Sequence, residues 1–465
     1  MMNCRLPGVA LLMMGALAAV AQTSAQRRPN IIIILADDLG FGDIGGFYGG
    51  EAPTPNLNRM GEEGMVFSDF HSNGPTCSPT RAALITGRYQ QRLGIEQPLP
   101  TNWDDEGIGS KDNRGEITIA EYLSREGYTN ALYGKWHLGK HPSANPILHG
   151  FHDFRGMTCG CGDYFAKMDR NGYRDWWHND KLVFQEGYAT DVITSNAVEF
   201  IQRNKTKPFF LYVAYNAIHF PWQTAEDDVL ETRSEGGDYT GSEPGPQSKL
   251  GPHKPEEVPA VVHKMITKLD EGVGRILNTL KEQGIDEETF VFFASDNGGY
   301  LNYNRGVWPK VSSNGPLRGQ KGQVYEGGHR VPAIARWPGK IKAGTLTSAT
   351  VMSFDLLPTI LDMLNVTPPD ANSPYVLDGV SILPLLLKNQ PPSPRVLYWR
   401  TPAQKAARDG NWKLVTTRAG ESPELFDLAS DPGETTNLAA KHPEKVQMLL
   451  SALNKWEQSV DRKRR

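Results

Sequence analysis

The chain has 465 residues, 39% of them hydrophobic and 22% charged, with a formal net charge of -4. That length exceeds what one ordinary core holds, so one large and one smaller domain are expected. A balanced charge with no basic stripe excludes the polyanion binders that track nucleic acid.

At the N-terminus, Arg5, an apolar run over residues 9–21 and Thr23-Ser24-Ala25 read as a secretory leader of residues 1–25. The run is too short to span a membrane, and no later run approaches that length. The expectation is an exported protein, secreted or periplasmic, with no stable membrane anchor. Cys4 leaves with the leader, so Cys77, Cys159 and Cys161 remain. Cys159-Gly160-Cys161 is too close-set to bridge without strain and reads as small core residues in a glycine-rich turn, a labile disulfide being the alternative. Cys77 is left over, as a reactive or modified residue.

In chain order, Ile31-Ile32-Ile33-Ile34-Leu35-Ala36 is a continuous apolar run, the pattern of a strand buried on both faces of a parallel sheet, and it ends at Asp37-Asp38. Open α/β sheets bind ligands beyond the carboxyl ends of their strands, so these carboxylates are placed for a site. Thr54-Pro55-Asn56-Leu57 opens a short helix. Cys77-Ser78-Pro79-Thr80-Arg81 starts another, because proline is favoured in a first helical turn. Its free N–H groups, its dipole and Arg81 favour a bound anion.

Residues 116–126 read as a helix, and Asn130-Ala131-Leu132-Tyr133 as a second buried strand leading into Gly134-Lys135-Trp136-His137. Alternation along an extended segment sends Lys135 and His137 the same way. Residues 151–184, rich in Gly, Tyr, Trp and Asp, read as long loops over the site, and residues 190–203 as a helix. A third strand, Phe209-Phe210-Leu211-Tyr212-Val213-Ala214-Tyr215, runs into Asn216 and His219. Residues 231–258 read as a polar surface loop and 261–280 as a long amphipathic helix.

The fourth strand, Phe290-Val291-Phe292-Phe293-Ala294-Ser295, ends at Asp296-Asn297-Gly298, and residues 319–328 form a glycine-rich turn with Lys321 and Glu326. A helix follows at 354–364. From about residue 391 the pattern turns to short strands at 396–399, 412–415 and 424–428 with a closing helix at 442–460. The expected units are residues 26–388, with a large mostly parallel α/β sheet flanked by helices, and 389–465, with a small antiparallel sheet and a helix.

Four buried strands ending in polar side chains gather Asp37, Asp38, Lys135, His137, His219, Asp296 and Asn297 along one sheet edge. Three carboxylates and an amide form an all-oxygen set suited to a hard cation. Calcium is favoured over magnesium because so many protein ligands are committed. Zinc is disfavoured, since no His/Cys set clusters.

The string C-S-P-T-R-A-A-L-I-T-G-R from Cys77 to Arg88, followed or preceded in order by I-L-A-D-D-L-G, G-K-W-H-L-G, N-A-I-H-F-P, S-D-N-G and Q-K-G-Q-V-Y-E-G-G, resembles the formylglycine-dependent (type I) sulfatases. Within them it is similar to the N-acetylgalactosamine-6-sulfatase and arylsulfatase A branch. The resemblance implies an alkaline-phosphatase-like fold and oxidation of Cys77 to 3-oxoalanine, formylglycine, by a formylglycine-generating or sulfatase-maturating enzyme. It implies Asp37, Asp38, Asp296, Asn297 and modified Cys77 as calcium ligands, with Lys135 and Lys321 on the sulfate. His137 then assists the aldehyde hydrate, Arg81 supports it, and His219 lies near the leaving group. Such a hydrate attacks sulfur with one hydroxyl, and deprotonation of the other expels sulfate. A sulfated sugar or glycosaminoglycan-type glycan is the substrate this branch implies. The alternatives are a phosphodiester or phosphonate monoester hydrolase of the same superfamily and a non-catalytic glycan-binding relative. His329 and Ile218 depart from the family pattern.

Overall fold

The computed structural model describes residues 28–461, except 112–114, 228–251, 371 and 418–420. The leader and most of the polar stretch at 231–258 therefore lie outside the described residues. Among the described residues no helix is long and apolar enough to cross a membrane.

The strands are β1 (Asn30–Ala36), β2 (Met65–Phe67), β3 (Phe70–His71), β4 (Thr129–Lys135), β5 (Asp153–Met157), β6 (Trp177–His178), β7 (Lys181–Leu182), β8 (Phe209–Ala214), β9 (Thr289–Ser295), β10 (Asn302–Tyr303), β11 (Trp308–Pro309), β12 (Ala333–Arg336), β13 (Thr345–Thr347), β14 (Val351–Met352), β15 (Val396–Arg400), β16 (Lys405–Asp409), β17 (Trp412–Thr416) and β18 (Glu424–Asp427). Ten of them form one sheet in the order β13-β2-β12-β9-β1-β8-β4-β5-β6-β7. The four strands read from apolar runs are its adjacent, parallel centre: β1 pairs with β9 and β8, and β8 with β4. β5 extends the parallel part, while β12, β6 and β7 pair antiparallel.

Successive strand residues face opposite sides, so an unbroken apolar run needs cover on both faces. It has that cover. Ile32 and Ile34 pack with Leu269, Val273 and Ile276 of α5 (Val258–Glu282) and Ile193 of α4 (Ala189–Asn204). Ile31, Ile33 and Leu35 pack on the other side with Leu84 of α2 (Cys77–Thr86), Leu123 of α3 (Ile119–Arg125) and Leu357. α1 (Pro55–Glu62) adds Leu57 and Met60 to the first of these clusters.

The second sheet is an antiparallel meander, β15-β16-β17-β18, covered by α6 (Pro443–Val460) through Leu449, Leu453 and Trp456. β16 is an addition to the expected set. Lys-Ala-Ala-Arg-Asp has no β-branched or aromatic residue, and its place is set by pairing with a neighbour on each side. This unit joins the large one through an apolar cluster holding Ala83, Tyr89, Tyr325, Met352 and Phe354 beside Trp399 and Phe426.

A buried polar seam runs beside that cluster. Arg408 meets Asp69 at 2.7 Å, Lys413 lies 2.9 Å from both Glu326 and Glu434, and the Nδ1 atoms of His71 and His329 are 3.0 Å apart. His329, which breaks the family pattern, is thereby placed: it stacks on Trp399 at 4.1 Å and its Nε2 lies 3.0 Å from the Val324 carbonyl.

Candidate active site

The β1, β4, β8 and β9 tips are laced together beyond the sheet edge. Asp37 N–H donates to the Ala217 carbonyl at 2.9 Å, and Asp296 N–H to that of Ala36 at 3.0 Å. Directly past its strand, Asp38 turns the chain at φ 64°. α2 aims Cys77, its first residue, at this edge, and every residue from Cys77 to Thr86 is buried. One ligand atom each from Asp37, Asp38, Cys77 and Asp296 lies within 4.8 Å of the others.

Each carboxylate has a cation. Lys135 Nζ bonds Asp37, and Lys321 Nζ bonds Asp38 and lies 3.3 Å from the Cys77 sulfur. Arg81 donates through Nε and a terminal nitrogen to Asp296 at 3.0 and 2.8 Å, and holds the Lys135 carbonyl at 2.8 Å. Arg81 is fully buried, and its guanidinium reaches Asp296 and the end of β4. These contacts hold the Asp296 carboxylate in place.

The charges are unevenly divided. Burial, with Asp296 close by, pushes the Asp37 carboxyl up to about 7 against the pull of Lys135. Burial acts on Asp296 in the same direction, but Arg81 and Lys135 win and hold it below its ordinary range. Burial and then Asp296 and Asp37 drive the Cys77 thiol far above its usual value, so an unmodified thiol here stays protonated and is a poor nucleophile.

His137 and His219 are buried and both are held well below the ordinary histidine range, His137 by burial and Lys135, His219 by burial, Lys321 and Lys135. As neutral rings each has a readable tautomer. His137 Nε2–H donates to the Leu99 carbonyl at 3.1 Å, leaving Nδ1 buried with no partner. His219 Nδ1–H donates to the Phe220 carbonyl at 2.8 Å, leaving Nε2 toward Asp38, 3.8 Å away. Lys135 and His137 do share the site, but not by alternation: β4 ends at Lys135 and His137 sits at φ 54°.

The residues present fit a hard cation. Asn297 donates its Nδ2 to Asp38 at 2.8 Å, which leaves its Oδ1 buried with no partner beside three carboxylates. A cation answers both that bare oxygen and the burial and repulsion that raise Asp37. Among the described residues a second His/Glu group, His71, Glu326 and His329, also lies close-set, but Lys413 already occupies Glu326 and lies 3.2 Å from His329 Nε2.

Several contributors carried no signal in the sequence. The Leu99 carbonyl orients His137. Gly160 packs so closely that a Cβ there would meet His137 Cε1 at 2.4 Å. Tyr164 OH donates to the Asn216 and His219 carbonyls at 2.8 and 2.9 Å, and Lys321 Nζ lies 5.0 Å from the Tyr300 ring centroid. Cys159 and Cys161 are free and buried, as core residues of the turn that carries Gly160.

Comparison with known proteins agrees with this geometry. The family described as Sulfatase matches residues 29–366, and the family described as N-sulphoglucosamine sulphohydrolase, C-terminal, matches residues 320–459. The chain is 35% identical to N-acetylgalactosamine-6-sulfatase of Mus musculus over 93% of its own length and 80% of the relative's. It is 30% identical to arylsulfatase A of Homo sapiens over 93% and 88%. Among solved structures, Ps i-CgsB in complex with k-i-k-neocarrahexaose is similar with a TM-score of 0.78 at 30% identity, covering 92% of this chain and 93% of that one. With a family match over well beyond half its length, this chain belongs to the sulfatase family and is a sulfuric ester hydrolase.

Proposed function

We propose that the protein is an exported sulfatase that removes sulfate from a sulfated sugar or glycosaminoglycan-type glycan, using formylglycine made from Cys77 by a maturating enzyme and a bound calcium ion. The observation that carries this reading is the buried, unpartnered Asn297 Oδ1 set among Asp37, Asp38, Asp296 and Cys77. The substrate class is supported by relatives named for N-acetylgalactosamine-6-sulfate and by a similar structure holding a neocarrahexaose.

Asp37, Asp38, Asp296, Asn297 and modified residue 77 would hold the calcium, which supplies positive charge against the sulfate oxygens. Hydrated formylglycine supplies a nucleophilic hydroxyl and a second hydroxyl that must lose a proton for sulfate to depart. The rest is done by the chain. Lys135 and Lys321 neutralise sulfate oxygens as charge builds there. His137 accepts the hydroxyl proton at Nδ1, the nitrogen left bare by the bond to Leu99. His219 protonates the departing sugar oxygen through Nε2. Burial, with Lys321 and Lys135, depresses that nitrogen in the free site, and a bound sulfate group offsets the two lysine charges.

The test is to co-produce the protein with a maturating enzyme, read the mass of the Cys77 peptide, and follow sulfate release from an aryl sulfate beside phosphate-ester cleavage of an aryl phosphodiester. An aldehyde peptide with sulfate released faster is the expected result. Full turnover by Cys77→Ala, or faster phosphodiester cleavage, overturns it.

A further inference from the structure

The site has one charge more than the scissile group calls for. Asp37, Asp38 and Asp296 are matched by Lys135, Lys321 and Arg81. Arg170 has no such match.

Arg170 stands on the loop that leaves β5 and crosses the site. Asp175 closes the base of that loop, accepting from the N–H groups of Thr158 and Cys159 at 3.1 and 2.7 Å and from Trp177 Nε1 at 2.7 Å. Bridges between Gly162 and Asp169 and between Met168 and Arg174 stiffen it. Asp169 accepts from the N–H groups of Asn171 and Tyr173 at 2.9 and 3.0 Å and pairs with Lys140, which fixes the backbone on both sides of Arg170. The same loop presses Gly160 on His137 and ties Tyr164 OH to the His219 carbonyl. Its position relative to the reacting centre is therefore set at two points.

The guanidinium is part-buried and close enough to Cys161 to be influenced by it, and its Nε is buried without a partner. Arg81, Arg336, Arg395 and Arg408 each pair with a carboxylate: Asp296, Asp286, Asp355 and Asp69. Among the described residues no carboxylate pairs with Arg170; the groups that act on it most are Cys161, Tyr303 and Cys159. Its charge is also felt at His219 and Tyr300. Tyr303, which acts on Arg170, packs 5.0 Å from the rings of both Tyr300 and Phe220, and Lys321 Nζ lies 5.0 Å from the Tyr300 centroid. Aromatic edges and faces with a cation on either side suit a sugar ring with an anion at each end.

We propose that Arg170 determines specificity by binding an anionic group of the substrate other than the sulfate that is cleaved. The preferred substrate is then a sulfated sugar that carries a second anion, a uronic acid carboxylate on the neighbouring ring or a further sulfate ester. A guanidinium with an unspent Nε–H matches the paired oxygens of either group. This rests on the sulfatase reading above and names the substrate class within it.

The test compares wild type, Arg170→Gln and Arg170→Lys on three probes: N-acetylgalactosamine 6-sulfate, the same sugar linked to a uronic acid, and the disulfated sugar. The expected result is that wild type prefers at least one dianionic probe over the monosulfated one. In Arg170→Gln that ratio of kcat/KM falls about tenfold or more, mainly through KM, as loss of a hydrogen-bonded charge implies, and Arg170→Lys restores part of it. Loss with the uronate probe alone identifies the carboxylate; loss with the disulfated probe alone identifies the sulfate. No wild-type preference, or equal loss on all three probes, overturns the proposal. Calorimetric binding of the same probes to Cys77→Ala, with and without Arg170→Gln, reads the preference without turnover. If wild type releases no sulfate from any probe the sulfatase reading fails, and the binding ratio still decides the role of Arg170.

Discussion

Each of the two histidines of the candidate site gives one ring nitrogen to a backbone carbonyl, and that assigns the other. His137→Ala is expected to lower kcat by about 10²–10⁴, the usual worth of a placed proton acceptor, with the melting temperature little changed; steady-state kinetics beside a thermal melt checks it. Asn297→Ala removes the bare Oδ1 and is expected to weaken calcium binding by at least about tenfold, read as the calcium concentration needed to raise the melting temperature of a chelator-stripped protein. Asp37, Asp38, Lys135, His137, His219, Asp296 and Asn297 were legible because each follows an apolar run that can only be a strand, and strand ends are where such sheets bind. Leu99, Gly160 and Tyr164 were not, because a carbonyl, an absent side chain and a ring hydroxyl aimed at a backbone atom leave no pattern in residue types. Arg170 lay in a loop with no period, where a single cation looks like any surface arginine.

At the scale of elements, the loop that leaves β5 is as much part of the site as the strands are. Gly160→Ala is expected to cut kcat about tenfold or more, because the added Cβ would meet His137 Cε1 at 2.4 Å and the ring must move. Stability should change less than activity, and kinetics against a denaturant melt separates the two. The central strands announced themselves by unbroken apolar runs and the long α5 helix by its period; β1, β4, β9 and α5 extend the expected bounds by one to three residues, while β8 stops one residue short. β16 did not, since two ladders hold Lys405 to Asp409 where their own propensities would not. The His137 turn also escaped: its left-handed backbone is invisible to a rule that assumes extended chain.

The molecule as a whole depends on the seam between its two sheets. Burial alone raises the Asp69 carboxyl, but Arg408 and His71 hold it well below the usual carboxylate range. A carboxylate so depressed contributes its full stability above the unfolded value of about 4. That contribution is lost as pH falls through the lower folded value. Asp69→Asn, which strands the buried Arg408, is expected to cost about 3 kcal/mol or more at neutral pH. The gap in melting temperature between wild type and variant should stay open at pH 6 and narrow below about pH 4. The second, antiparallel sheet was foreseeable from the change of pattern near residue 391, but the charged seam was not, because its members come from residues 69 to 434 and only the fold brings them together.

Cys77 is 1% exposed, at the head of a helix with no residue open to solvent. A maturating enzyme of the kind proposed above would have to reach this stretch before α2 docks, so maturation would race against folding and a molecule that packed first would keep its thiol. Folded, thiol-bearing protein mixed with the maturating enzyme should remain unconverted while a free peptide spanning residues 73–90 is converted, and conversion of the native protein would show that the helix can come undone.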